Sequence, residues 1–284
     1  MIIWLASYPK SGNTWVRSIL TSLFFSQDGS IDFKHLNAFP KYPNPEHLIE
    51  FTKDLHSFDE MSKYWLASQE KLNLNQKTNF LKTHHLLAAW KNNNFTNSKN
   101  TLGAIYIVRD PRTVFTSVKN HFSYTDEEAL KMMLDKNWSL INGIKTMLSS
   151  WGQHYFSWVK NNKNVLLIKY EDMVNDLRKE IYKILDYLNK LNIKTNFSEE
   201  RINNCIKTSN FSNFQDMEKK GLFDEYLIGD LELPHTYEIN YNGIDHYIIS
   251  FNENEKSSFM SFCNTIETSD GGTHETSIKN GLIK

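Results

Sequence analysis

The stretch Ser7-Tyr8-Pro9-Lys10-Ser11-Gly12-Asn13-Thr14-Trp15 decides how the rest of the chain is read. It follows the apolar run Ile2-Ile3-Trp4-Leu5-Ala6 and leads into Val16, Ile19, Leu20, Leu23 and Phe24, whose spacing by three and four residues predicts an amphipathic helix. The order is strand, tight loop, helix. The first backbone N–H groups of such a helix lack intrahelical partners, and with the helix dipole they favour a bound anion. Gly12 lets a ligand approach the backbone closely, Lys10 adds a full positive charge, and Ser11, Asn13 and Thr14 add hydrogen-bond donors. The loop has the chemistry of a phosphate cradle. It is not the Walker arrangement Gly-x-x-x-x-Gly-Lys-Ser/Thr, because the lysine here precedes the loop's only glycine, so a plain ATPase or GTPase is disfavoured.

Composition narrows the class. With 284 residues, 40% hydrophobic and 13% aromatic, the chain can bury a large core. A net charge of −1 argues against a nucleic-acid partner and makes any anion site local. The two cysteines, Cys205 and Cys263, suggest neither a disulfide framework nor a zinc site, and a reducing interior fits them. The start of the sequence has no basic leader, and no apolar run approaches the ~20 residues of a membrane span. A cytoplasmic protein without a membrane span is expected.

Beyond the first helix, residues 26–63 carry Pro40, Pro43 and Pro45 without sustained periodicity, and are expected to form a lid, part of an acceptor pocket or a surface excursion. Asn79 to Thr83 reads as a strand, followed by His84-His85 and a helix-like Leu86 to Trp90. A histidine at the C-terminal end of a strand lies where open α/β sheets bind ligands, and a neutral imidazole can take a proton from an attacking hydroxyl. The residues alone do not rank His84 against His85, nor either against a structural role. Leu102 to Val108 is a nearly continuous apolar run, as in a buried parallel strand, and Arg109-Asp110-Pro111-Arg112 ends it. Asp110 and Pro111 suit a helix start, and that helix runs to about Phe122. Helices are expected over 126–136, 141–160, 176–191 and about 253–266, with a strand over 165–170. On the second of these helices Trp151, His154 and Trp158 share a face, which favours packing.

Four segments carry a resemblance. Tyr8 to Trp15 closely resembles the 5′-phosphosulfate loop of sulfotransferases that use 3′-phosphoadenosine 5′-phosphosulfate (PAPS). Ile107-Val-Arg-Asp-Pro-Arg-x-Val-x-x-Ser117 is similar to that family's 3′-phosphate segment, Lys82-Thr-His84 to its base-bearing segment, and the strand ending Tyr170-Glu-Asp to its adenine-contacting one. The resemblance implies a single P-loop-like α/β domain over 1–268, with a central parallel sheet flanked by helices and a polar tail over 269–284. It further implies that His84 is the base and that Lys10 neutralises charge on the transferred group. The donor would be held by Lys10, Ser11, Gly12, Asn13 and Thr14 at its 5′-phosphosulfate and by Arg109 and Ser117 at its 3′-phosphate, with Trp15 stacked on the adenine. Tyr170 would contact the adenine, as would Phe214 and Met217 in a looser match whose register competes with Phe211. PAPS is then the co-substrate, 3′-phosphoadenosine 5′-phosphate the product, and a small molecule, glycan or lipid the acceptor of the sulfuryl group through a hydroxyl or amine. No metal is required.

One segment departs from the pattern. The family's basic Arg-Lys-Gly-x-x-Gly loop is absent: Lys219-Lys220-Gly221 lies too near the preceding motif, and Asn240 to Tyr247 stands in the expected place without cations. Asn242 and Gly243 are assigned to the cofactor site on that second placement. The departure keeps open a catalytically inactive binding module, and the fold alone keeps open a P-loop-like nucleotide kinase, which the Arg109 and Ser117 pair argues against.

Overall fold

A computed structural model describes residues 1–160, 164–210 and 212, together with the strands at 236–241, 245–250, 258–263 and 266–267. The chain divides into two compact units, Met1–Phe211 and Ser212–Lys284.

In chain order, the first unit opens with β1 (Ile2–Ser7) and α1 (Asn13–Phe25), then the short helices α2 (Pro45–Leu48) and α3 (Phe58–Met61), and α4 (Trp65–Asn73). β2 (Asn79–Thr83), a small hairpin of β3 (Ala89–Trp90) and β4 (Asn93–Asn94), β5 (Thr101–Val108), α5 (Pro111–Phe122) and α6 (Asp126–Leu134) follow. A second hairpin, β6 (Ser139–Asn142) and β7 (Ile144–Met147), precedes α7 (Trp151–Val159), β8 (Val165–Lys169), α8 (Tyr170–Asn175), α9 (Leu177–Lys190) and α10 (Glu199–Thr208). The second unit contains β9 (Thr236–Tyr241), β10 (Asp245–Ser250), β11 (Ser258–Cys263) and β12 (Ile266–Glu267) in an antiparallel sheet.

The first unit is the expected α/β architecture. Its sheet has the order β2-β1-β5-β8 with every pairing parallel. Each residue of β1 is buried, as its unbroken apolar run requires of a strand flanked on both sides. Trp4 anchors the core: its ring meets Tyr42, Phe95 and Trp158, and its indole N–H donates to Thr101 Oγ1 at 2.9 Å. The register pairs Ala6 with Thr83, Ser7 with Ile107 and Val108 with Lys169. The segments that follow β1, β2, β5 and β8 therefore leave the sheet along one edge, its carboxyl end.

Four expectations are corrected. The helix expected over 141–160 is a hairpin followed by a shorter helix, because Asn142-Gly143 turns the chain, with Gly143 at φ 64°. The helix-like Leu86 to Trp90 is irregular and ends in the β3–β4 hairpin. Where a final helix over 253–266 is expected, Ser258–Cys263 and Ile266–Glu267 are strands. Residues 26–63 are neither open loop nor excursion: Leu36, Phe39, Tyr42, Leu48 and Met61 are buried, and the Tyr42 N–H donates to the Lys82 carbonyl at 2.8 Å. Buried Arg17 ties this segment to α1 by donating from Nε and Nη2 to the Leu36 carbonyl. Among the described residues no helix is long and apolar enough to cross a membrane.

Candidate active site at the carboxyl edge of the sheet

The loop between β1 and α1 is held open toward its ligand side by backbone conformation. Lys10 and Gly12 both adopt left-handed conformations, φ 63° and 96°. Helix α1 has no side-chain cap at Gly12 and no acidic residue in its first turn, so its leading N–H groups keep their partial positive charge for an anion. Asn13 Nδ2 donates to the Leu5 carbonyl at 2.9 Å and to Ser7 Oγ at 3.2 Å, which pins the helix start to β1. Ser11 Oγ and Asn13 Oδ1 are buried and have no partner among the described residues. Thr14, half-buried, closes the first turn through its carbonyl, which accepts from Ser18.

Arg109, just past β5, reaches this loop: its Nη1 donates to the Lys10 carbonyl at 3.1 Å. Its guanidinium lies 4.2 Å from the centre of the Tyr170 ring, and its buried Nε has no partner among the described residues. Tyr170, the first residue of α8, also meets the Trp15 ring edge-on at 5.5 Å. A Cβ at residue 12 would stand 2.6 Å from the Tyr170 ring, so glycine there is required by packing as well as by φ. Trp15 is buried and donates from its indole to the Ser209 carbonyl at 2.7 Å. The loop, Arg109, Tyr170 and Trp15 thus form one contiguous cluster drawn from β1, β5 and β8.

The two histidines after β2 separate clearly. His84 is half-buried at the sheet edge, and its Nδ1 lies 2.7 Å from the Ser7 carbonyl and 3.2 Å from Ser7 Oγ. A carbonyl only accepts, so Nδ1 carries the proton and Nε2 is the lone-pair nitrogen of the neutral ring. His85 is fully buried, stacked on Phe95 at 4.1 Å and donating from Nδ1 to the Leu86 carbonyl. Burial pushes the His85 imidazole down to about 3. His85 is a core residue, out of reach of an acceptor.

Two groups not foreseen from the sequence belong to the same edge. Lys82, in β2, is a lysine only 5% exposed, and His121, in the last turn of α5, keeps an exposed surface yet is held down at about 4 by the desolvation of its ring against the protein and by the positive charges of Lys10 and Lys82. The cue for Lys82 was present: a lysine inside an otherwise apolar strand, immediately before the segment that carries His84. Ser117 is half-buried one helical turn before His121, on the same face of α5. Arg112 is exposed and wraps back on Asp110, whose carboxyl it holds down at about 2. Phe214, Met217, Asn242 and Gly243 lie outside the described residues, as do Phe211 and Lys219 to Gly221. No cluster of metal-ligating side chains occurs among the described residues.

Comparison with known proteins assigns the family. The family model described as "Sulfotransferase domain" matches residues 2–225, and one described as "DNA gyrase B" matches residues 184–284. The amine sulfotransferase of Oryctolagus cuniculus is 26% identical over 75% of this chain and 62% of its own length. Sulfotransferase 1E1 of Rattus norvegicus is 27% identical over 72% of this chain and 68% of its own. A crystal structure of the mouse sulfotransferase SULT7A1 complexed with PAP is 24% identical, with a TM-score of 0.48, covering 75% of this chain and 64% of that one. The chain thus spans less than two thirds of the amine sulfotransferase it resembles. With one family model covering most of the sequence, including every element of the cluster described above, the chain belongs to the sulfotransferase domain family.

Proposed function

We propose that the chain transfers a sulfuryl group from PAPS to the hydroxyl, or less favourably the amine, of a small-molecule acceptor, with His84 as general base. The observation that carries this reading is the Arg109 Nη1 to Lys10 carbonyl contact at 3.1 Å, which joins the two anion-binding segments into one site. The residues fit such a donor. Ser11 Oγ and Arg109 Nε are buried donors without a partner among the described residues, the kind of group that a phosphate oxygen satisfies. Lys10, Ser11, Gly12, Asn13 and Thr14 would hold the 5′-phosphosulfate against the start of α1, and Arg109 with Ser117 the 3′-phosphate. Trp15 and Tyr170 would flank the adenine.

When bound, PAPS supplies an activated sulfuryl group whose sulfur–oxygen bond to the 5′-phosphate breaks as the bond from sulfur to the acceptor oxygen forms. His84 takes the acceptor's proton at Nε2, because its Nδ1–H is committed to the Ser7 carbonyl. Lys10 offsets negative charge on the bridging oxygen as it departs with the 5′-phosphate. In-line positioning and fixed positive charge supply most of the rate, as in phosphoryl transfer. Relatives named amine sulfotransferase and luciferin sulfotransferase support a small-molecule acceptor.

A second reading, a donor-binding module without turnover, is favoured by one observation: Asn240 to Tyr247 lacks the cations of the family's basic loop, and the sulfotransferase match ends at residue 225. Calorimetric affinities for adenosine 3′,5′-bisphosphate, ADP and AMP, followed by an acceptor screen with labelled PAPS, separate the readings. The bisphosphate should bind at least tenfold more tightly than ADP, since each well-placed bond to a charged group is worth about 1.5–3 kcal/mol. Equal affinities would overturn the donor assignment. Tight binding with no acceptor sulfated would favour the module.

A further inference from the structure

The segment that carries His84 leaves β2, bonds through its Leu86 N–H to the Met147 carbonyl of β7 at 2.7 Å, and is also held by a single helix face. Three residues of α7 make the contacts. His154 Nε2 lies 3.0 Å from the His84 carbonyl, Trp158 Nε1 donates to the His85 carbonyl at 3.0 Å, and Ser157 Oγ accepts from the Leu87 N–H at 3.1 Å. Positions 154, 157 and 158 share a face by their three-and-four spacing, so α7 grips the backbone of residues 84–87 at three successive points.

His154 differs from the other two because both of its ring nitrogens are committed. The His84 carbonyl can only accept, so His154 Nε2 carries the proton and Nδ1 is an acceptor. The Tyr106 hydroxyl meets that acceptor at 2.8 Å, and the Tyr8 ring meets the His154 ring edge-on at 5.5 Å. His154 is fully buried and Tyr106 is 1% exposed. Burial also holds the His154 imidazole down at about 4, in keeping with a neutral ring. The donors therefore run in one direction: Tyr106 O–H to His154, His154 N–H to the carbonyl of His84. Tyr8 belongs to the anion loop, two residues before Lys10. The His84 ring, meanwhile, bonds back to the carbonyl of Ser7, next to Tyr8.

We propose that His154, with its tautomer set by Tyr106, is a positioning residue that fixes the backbone of His84 and so aims the His84 Nε2 relative to the anion loop. This rests on the reading of His84 as the base. A pure packing role needs neither the ring's polarity nor its orientation. A directed bond to the His84 carbonyl needs a donor where Nε2 stands, which a glutamine amide can supply and an asparagine amide cannot.

The test compares His154→Gln, His154→Asn and Tyr106→Phe in the whole chain by two readouts. The first, without substrate, is the ¹⁵N resonances of the His84 ring: one Nδ1–H tautomer is expected in the parent and in His154→Gln, and a tautomer average in His154→Asn and Tyr106→Phe. The second is kinetics with PAPS: kcat should fall by about a hundredfold in His154→Asn, the cost of a roughly 1 Å misplacement, with KM for PAPS unchanged and His154→Gln near the parent. Unchanged His84 resonances in His154→Asn and Tyr106→Phe would overturn the proposal. So would equal kcat losses in the Gln and Asn variants. A parent protein that turns over no acceptor while its ring resonances behave as stated would sink the proposed function and leave the positioning role standing.

Discussion

Replacing Gly12 by alanine strains two things at once, and the structure separates them. The left-handed φ of 96° costs a residue with a Cβ about 1–2 kcal/mol. The new methyl would also stand 2.6 Å and 3.0 Å from two atoms of the Tyr170 ring, so the ring must retreat by roughly 1 Å to reach ordinary contact. It cannot retreat freely, since the Arg109 guanidinium lies over it at 4.2 Å and the Trp15 edge meets it. Loosening that cation–π contact removes about 0.5–2 kcal/mol of the force that holds Arg109 in place. The backbone strain is present with and without ligand and lowers stability only. The displaced ring should weaken adenosine 3′,5′-bisphosphate by about two- to thirtyfold. Urea unfolding reads the first effect and isothermal titration calorimetry the second. An unchanged urea midpoint would refute the backbone-strain argument; a lowered midpoint with affinity held within about twofold would show that the Arg109–Tyr170 stack does not serve the ligand.

Other perturbations test separate parts of the site. His84→Ala and Lys10→Ala should each lower turnover by about two to four powers of ten, measured with labelled PAPS, and near-normal turnover in His84→Ala would remove it from the mechanism. Arg109→Ala should weaken the bisphosphate by about tenfold to a hundredfold while AMP affinity barely changes, by calorimetry; parallel losses for both ligands would place Arg109 away from the 3′-phosphate. His85 sits at about 3 when folded and near ~6.5 when unfolded, so the unfolded chain takes its proton first as the pH drops. Its contribution is fully present above about pH 6.5 and is lost as the pH falls toward the folded value. His85→Phe should therefore flatten the decline of the unfolding free energy between about pH 6.5 and 4, and an unaltered slope would contradict the buried neutral imidazole.

What the sequence conveyed followed the strength of its local signals. β1, β5 and β8 are apolar runs with abrupt ends; β1 and most of β5 are buried, while β8 at the sheet edge is mainly half-buried, and the runs alone let their positions and the residues that follow them be read directly. The β6–β7 hairpin was misread as helix although Asn142-Gly143 between alternating residues is a turn signal, because Trp151, His154 and Trp158 imposed their helical spacing too far upstream. His84 and His85 are adjacent and chemically identical, so only three-dimensional packing, with Phe95 and Trp65 closing around His85, distinguishes them. Lys82 and His121 carry no local sequence signal of a shared site, because one sits in a strand and the other at a helix end, and only the fold brings the charges of Lys10 and Lys82 to bear on one imidazole. The antiparallel sheet of the second unit, where a terminal helix was expected, lies in the stretch that the DNA gyrase B family model matches.

Every piece of the candidate site hangs from a different strand of one parallel sheet: His84 meets Ser7 across 77 residues of sequence, and Arg109 meets the Lys10 carbonyl across 99. An excised fragment of the first unit that ends before Arg109, or begins after the anion loop, holds only one half of the grip. Recognition of the donor and cooperative melting of the sheet become a single event, so a saturating ligand should raise the whole unfolding transition instead of protecting one loop.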